Sequence, residues 1–387
     1  MNEKKVLFVL RKASIGGSCT SLINLLSLFK EQGVVFDVFL MDHSGVLTDR
    51  IAQNANLLPE NVMLSSAIKE KKMLTGFLQY AYRCGFVLNH KLFGTGVAVR
   101  RLYEAAAKSL NGKYDHVIAY QEGETTEFVQ YIKTPHKIAF LHNDVERFWL
   151  SGNKVTLQKL YDTFQDIACV SKAAMESIRR NLQWDEGRLH LIRNTLPEHW
   201  LRERAKIPVD SGDEKKKRFL FVSVGRMAPQ KAFERIPKAA KLLKQWDVDF
   251  DWYIIGDGAE KEKVVAQILR CEVADCVHLL GAKMNPHAYM RICDCVVLTS
   301  RYEAQPMVAN EALILDKPVI STEFSSVYEV IQNGENGMIV PQIPEAIANA
   351  LMKFTSDEEY RKKLQAGAEQ FCYPNEKVMD ALQNLLN

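Results

Sequence analysis

The chain has 387 residues, 47% of them hydrophobic, with 50 basic against 47 acidic side chains and a net charge of +3. That length exceeds one ordinary core and suits two domains of about 200 residues each. Near-neutrality removes the need for a nucleic-acid partner, although a local basic patch remains compatible with it. The N-terminal stretch MNEKKVLFVLRKAS has too short an apolar run for a signal peptide. No stretch approaches the roughly 18 apolar residues of a membrane span. A cytoplasmic protein is expected, soluble or held at the inner face of a membrane. Its oligomeric state is not legible.

In chain order, VLFVL, VFDVFLM, HVIAY, KIAFLH, IACVS and LHLIRN read as strands of the first half. FLFVSVG, DWYIIGDG, VHLLG, CVVLTS and PVIST read as strands of the second. Helical patterns such as SLINLLSLFKEQG and EAIANALMKFTS lie between most of them. Continuous apolar strands alternating with helices predict parallel sheets covered on both faces. The polar stretch RERAKIPVDSGDEKKKR reads as a linker over 201–218. The expected arrangement is two doubly wound α/β domains, 1–200 and 219–365, facing each other across a cleft that would hold the main site. A C-terminal helix over 366–387 would then be free to return to the first domain.

Several stretches raise chemistry. Gly16-Gly17 follows the first strand; taken alone it is a tight turn. The segment from Lys69 to Arg101 intersperses Lys69, Lys71, Lys72, Arg83, Lys91, Arg100 and Arg101 with Phe77, Tyr80, Tyr82, Phe86 and Phe93. It suits peripheral contact with an anionic membrane surface, or plain helices that show charge to water. Glu122, His142, Asp144 and Glu146 lie at strand ends of the first half, where ordinary core or surface roles compete with function. Asn194 reads as structural. The eight cysteines match no common zinc spacing and read as buried reduced thiols.

The second half is more informative. In CVVLTSRYEAQPMVANEAL a strand ends near Thr299 and a helix is predicted to start near Pro306, a residue suited to the first turn. Unpaired N–H groups there can cradle a phosphate. The flanking carboxylates Glu303 and Glu311 suit sugar hydroxyls instead. In FVSVGRMAPQKAFERI, Arg226 and Lys231 follow a strand end and could converge on a diphosphate. Gly256-Asp257-Gly258 in IIGDG forms a turn that could wall a nucleotide base.

These segments together resemble glycosyltransferase family 4, retaining enzymes of the GT-B fold that build bacterial cell-surface glycans. The resemblance is carried by VGRMAPQKAFERI, IIGDG, the Glu-x7-Glu spacing of SRYEAQPMVANEA, and KPVIST with YEVIQNGENGMIV, most of 219–340 in the family's order. Ala304 and Ala232 stand where the family usually has glycine. The resemblance implies a hexosyltransferase using a nucleotide diphosphate sugar, UDP-linked as the family's commonest case, with a lipid-linked, polysaccharide or protein acceptor. It implies no metal and no other cofactor. Glu303, His142, Arg226 and Lys231 would act in catalysis. The donor would lie on Gly16, Gly17, Gly225, Arg226, Lys231, Gly256, Asp257, Glu303, Glu311 and the stretch Gln305, Pro306, Met307, Val308. The first domain would face the acceptor, with Glu122 and Asp144 as candidates. A non-catalytic partner subunit of the same fold stays open, as does an epimerase or phosphorylase.

Overall fold

The computed structural model describes the chain except residues 1–3, 15, 70–73, 75, 144, 146–153 and 210–217. It divides into two compact units, Met1–Thr195 together with Asn375–Asn387, and Leu196–Pro374.

The first unit is built on seven strands: β1 (Val6–Lys12), β2 (Asp37–Asp42), β3 (Asn56–Leu57), β4 (His116–Ala119), β5 (His136–Leu141), β6 (Asp166–Cys169) and β7 (Leu189–Leu191). All pairings are parallel, in the order β3-β2-β1-β4-β5-β6-β7. Leu7 to Leu10 are wholly buried, as a strand covered on both faces requires. The strand order reverses between β1 and β4, which creates a crevice at their carboxyl ends. The helix Gly17–Glu31 starts at that edge. The C-terminal helix Asn375–Leu386 belongs to this unit, and Lys4 Nζ donates to the Leu386 carbonyl at 2.8 Å.

The second unit holds β8 (Phe219–Val224), β9 (Phe250–Ile255), β10 (Val277–Gly281), β11 (Cys295–Leu298), β12 (Val319–Thr322) and β13 (Gly337–Val340). These are again all parallel, in the order β10-β9-β8-β11-β12-β13. Here the order reverses between β8 and β11. Both units thus have the doubly wound topology expected from the alternating pattern.

Some details differ from the sequence reading. The two-residue β3 and the edge strand β13 were not among the predicted strands; both are too short or too glycine-rich to show a clear apolar run. The helix Glu198–Ala205 crosses the expected domain end at 200 and takes up the start of the expected linker. Its buried Leu201 packs with Leu196, Ile314 and Tyr373, which outweighs its charged appearance. The expected final helix over 366–387 is two helices, Glu358–Glu369 and Asn375–Leu386, interrupted ahead of Asn375 by Pro374, which cannot continue a helix. All eight cysteines are free thiols; six are buried, but Cys84 and Cys372 are exposed. No described helix is long and apolar enough to cross a membrane.

Candidate functional site

In the second unit the chemistry gathers at the carboxyl ends of β8 and β11, beside the reversal of strand order. Gly225 follows β8, and the next residue, Arg226, is exposed. Gly256 follows β9, and a Cβ there would lie 1.8 Å from the Gly225 carbonyl oxygen. Only glycine lets the two loops close to this distance. The Gly-Asp-Gly turn is therefore a packing partner of the Arg226 loop. Asp257 itself is exposed; its carboxylate accepts from the Gly258 N–H at 2.8 Å and pairs with Lys261 at 3.3 Å. Those contacts hold its carboxyl below the usual range.

Lys231 sits in the loop that leads to the helix Ile236–Gln245. The next residue, Ala232, has φ 50°, a left-handed conformation, which accounts for glycine being usual in the resembling family. The loop is fastened to the end of β11: Thr299 Oγ1 donates to the Lys231 carbonyl at 2.7 Å, and the Arg301 N–H donates to the Gln230 carbonyl at 2.8 Å. This fastening brings the Lys231 ammonium onto the Glu303 carboxylate as an ion pair whose side chains keep only 18% and 9% exposure. Ser300 Oγ donates to the same Glu303 oxygen at 2.7 Å, and Ser326 Oγ donates to the Glu303 carbonyl at 2.7 Å. Removing one partner of a buried pair costs about 3–5 kcal/mol, because the other charge stays behind.

The helix Met307–Ile314 begins after Pro306, as the sequence predicts, and no side chain caps its first turn. Its leading N–H groups are the kind that bind anions. Gln305 is buried, and its amide donates to the Tyr373 hydroxyl at 2.8 Å. Its side chain thus secures the loop rather than facing solvent. Glu311, in the helix, approaches the imidazole of buried His287 at 3.4 Å. Trp200 lies edge-on to His287 at 5.9 Å.

In the first unit the candidates flank the β1–β4 reversal. A Cβ on Gly16 or Gly17 would meet no described atom within 4 Å, so the helix start opens onto free space. Ser21 and Gln121 tie this helix to the end of β4: Ser21 Oγ lies 2.9 Å from the Tyr120 hydroxyl, and Gln121 Nε2 donates to Ser18 Oγ at 2.8 Å. Asn194 is buried and accepts from Ser21, in keeping with a structural role. Glu122 turns inward: one carboxylate oxygen accepts the backbone N–H groups of both His142 and Asn143, the latter at 2.6 Å. Burial pushes its carboxyl up to about 7, although those N–H groups pull the other way. His142 packs against Tyr120, ring centroids 4.9 Å apart. Burial lowers its imidazole to about 4, so it is neutral at pH 7. Its Nε2 has no hydrogen-bond partner among the described residues. Asp144, and Glu146 beside it, lie outside the described residues.

The structure thus joins Lys231 to Glu303, sets Gly225 against Gly256, and ties Glu122 to the backbone of His142 and Asn143. Glu311 lies beside His287, 3.4 Å from its Nε2, rather than against either cation. Ser300, Gln230, Ser326 and His287 were missed by the sequence reading. Ser300 stands three residues before Glu303, but nothing local to His287 marks it out. Among the described residues no group of three or more His, Cys, Asp or Glu side chains could hold a metal ion.

Two doubly wound units with these strand orders define the GT-B fold, the architecture of a large class of glycosyltransferases. The match to solved members is complete in length: the chain superposes on Anabaena HepE, crystallised with UDP and glucose, with a TM-score of 0.72, 18% identity and 99% of each chain covered. The family model described as glycosyl transferases group 1 matches residues 206–371, so that part of the chain is similar to this family. It is 29% identical over 208 residues to an uncharacterized glycosyltransferase of Methanocaldococcus jannaschii, 53% of this chain and 54% of the relative. The chain therefore spans about half the length of that relative. It is 24% identical over 278 residues, 70% of this chain and 73% of the relative, to the N-acetylgalactosamine-N,N'-diacetylbacillosaminyl-diphospho-undecaprenol 4-alpha-N-acetylgalactosaminyltransferase of Campylobacter jejuni.

Proposed function

We propose that the chain is a retaining hexosyltransferase. It moves a hexose from a UDP-linked donor to a lipid-linked glycan acceptor at the inner face of a membrane, without a metal. The observation that carries this reading is the Lys231–Glu303–Ser300 cluster at the strand-order reversal, beside the uncapped start of the helix Met307–Ile314. A diphosphate would take Lys231, exposed Arg226 and the leading amides of Gln305 to Val308, which together stabilise the departing charge. Glu311 would accept from the ribose, and Glu303 from hydroxyls of the transferred sugar. The leaving phosphate would take the acceptor's proton on the face it vacates, so no protein nucleophile is required. Neutral His142, in the first unit, is a candidate hydrogen-bonding group for a substrate hydroxyl. The lipid-linked acceptor is favoured by the Campylobacter relative, whose name specifies a diphospho-undecaprenol acceptor; Anabaena HepE, crystallised with UDP, favours the base.

The test is product analysis with UDP-hexoses and polyprenyl-diphosphate glycans in EDTA. The reading expects a glycosylated lipid with the donor's anomeric configuration. Inverted configuration overturns retention, and a requirement for manganese or magnesium overturns metal independence. Release of free sugar or an epimerised nucleotide moves the chain to another activity of this fold. Absence of any donor binding moves it to a partner subunit.

A further inference from the structure

The helix Phe77–Phe93 is built inside out. It has no fully buried residue. Its half-buried positions are Gln79, Arg83, Phe86 and Asn89, mostly polar. Arg83 donates to the backbone carbonyls of Ala67 and Lys69, and Asn89 accepts from Arg101 at 3.0 Å. The apolar residues point the other way: Phe77 is 91% exposed and Leu92 65%, with Leu78, Val87, Leu88 and Phe93 exposed beside them. A helix on the surface of a soluble domain turns its apolar stripe to the core and its polar face to water. Here an apolar band runs the length of a 17-residue helix, about 25 Å at 1.5 Å per residue. Contiguous exposed apolar surface of this kind marks an interaction site.

The charge pattern selects the occupant. From Glu70 to Glu104 the sequence contains no intervening acid, but six Lys and Arg residues. Lys91 and Arg100 are exposed, and the Arg101 guanidinium lies 4.2 Å over the Phe93 ring. A second copy of this chain would set cations against cations. An anionic bilayer offers both partners at once, acyl chains for the apolar band and headgroup charge for the cations. We propose that the helix Phe77–Phe93 lies in the interface of an anionic lipid bilayer, with its Phe77–Leu92 face inserted and Lys91, Arg100 and Arg101 at headgroup level. This assigns a membrane contact narrower than the whole basic segment. Lys69 is excluded from it, because Lys69 is buried and paired with Glu60. Lys71 and Lys72 lie outside the described residues. The inference does not depend on donor chemistry.

Sedimentation of the full chain with vesicles tests it, using phosphatidylglycerol in phosphatidylcholine against phosphatidylcholine alone. Wild type should sediment with the anionic vesicles, and less at high salt. Leu88→Glu/Leu92→Glu should reduce partition at least about tenfold by opposing insertion. Lys91→Glu/Arg100→Glu should reduce it by about tenfold or more, since each cation near such a surface contributes about fivefold. All four side chains are exposed, so circular dichroism and melting temperature should stay at wild-type values. Two results overturn the proposal: wild type that ignores anionic vesicles at low salt, and either variant sedimenting as wild type does. A third is an oligomer, seen by light scattering, that Leu88→Glu/Leu92→Glu dissociates while vesicles bind nothing. That outcome assigns the face to a second copy.

Discussion

Glu303→Gln should tighten the binding of UDP while slowing transfer. In the free protein the Lys231 ammonium is held by the Glu303 carboxylate, in a pair whose side chains are 18% and 9% exposed. A diphosphate must compete for that ammonium and settle near a carboxylate of its own sign. At an effective dielectric of about 20, two unit charges about 4 Å apart interact by about 4 kcal/mol. Relief of even a quarter of this, about 1 kcal/mol, is about fivefold in Kd. The glutamine keeps the shape and can still accept from Ser300. Turnover should fall about ten- to a hundredfold, the equivalent of roughly 1.5–3 kcal/mol for a lost charged hydrogen bond to the sugar. Calorimetry with UDP and a transfer assay on the same preparation read both effects, with circular dichroism confirming the fold. Weaker UDP binding in Glu303→Gln would show that the carboxylate prepares Lys231 for the phosphate instead of competing for it, and the reasoning would fail.

Lys231→Ala should weaken UDP about ten- to a hundredfold and also lower the melting temperature, because Glu303 is left as a buried, unpaired charge; calorimetry and thermal melts check both. Adding Glu303→Gln to that variant should recover most of the lost stability, and only the roughly fivefold part of the affinity that relief of the carboxylate's repulsion supplies. Glu311→Ala should weaken UDP about tenfold but leave 2′,3′-dideoxy-UDP unaffected, measured by calorimetry with the two ligands. The Glu122 carboxyl, raised to about 7, binds more protons folded than unfolded between about pH 4.5 and 7, so it makes stability fall as pH rises through that window. His142, lowered to about 4, does the opposite between about pH 4 and 6.5. The two slopes oppose each other in the wild type. Urea denaturation across this range should therefore show stability rising more steeply with pH in Glu122→Gln, and an unchanged slope would contradict the buried placement of the carboxyl.

The parallel sheets were legible because β1, β5, β8 and β11 are continuous apolar runs, and such runs have few alternatives once helices alternate with them. The placement of the segments proposed for the donor was legible for a related reason. Gly225-Arg226, Gly256-Asp257-Gly258 and Glu303 to Glu311 each sit at a strand end within a few residues, so local spacing carries their geometry. The contacts between segments were not legible. Lys231 and Glu303 are separated by 72 positions, and their pairing follows from strand order, through Thr299 and Gln230. Glu122 read as a strand-end acid with an acceptor-side, core or surface role left open, and it reaches across to the amides after β5. Lys69 looked like part of a basic surface; its pairing with Glu60 removes it. The helix Phe77–Phe93 shows why composition misleads: its aromatics and cations were visible, but which of them faces outward is decided by Arg83 and Asn89, whose partners lie in other helices.

The central claim is that the unit Leu196–Pro374 binds a nucleotide diphosphate through Lys231 and Glu311. Titration calorimetry of UDP in EDTA, on wild type and on Lys231→Ala and Glu311→Ala, tests it most directly. The account predicts saturable one-to-one binding to wild type, weakened at least about tenfold by either substitution. Wild type that binds no UDP, GDP or ADP, or binds UDP equally well without Lys231 and without Glu311, would contradict it.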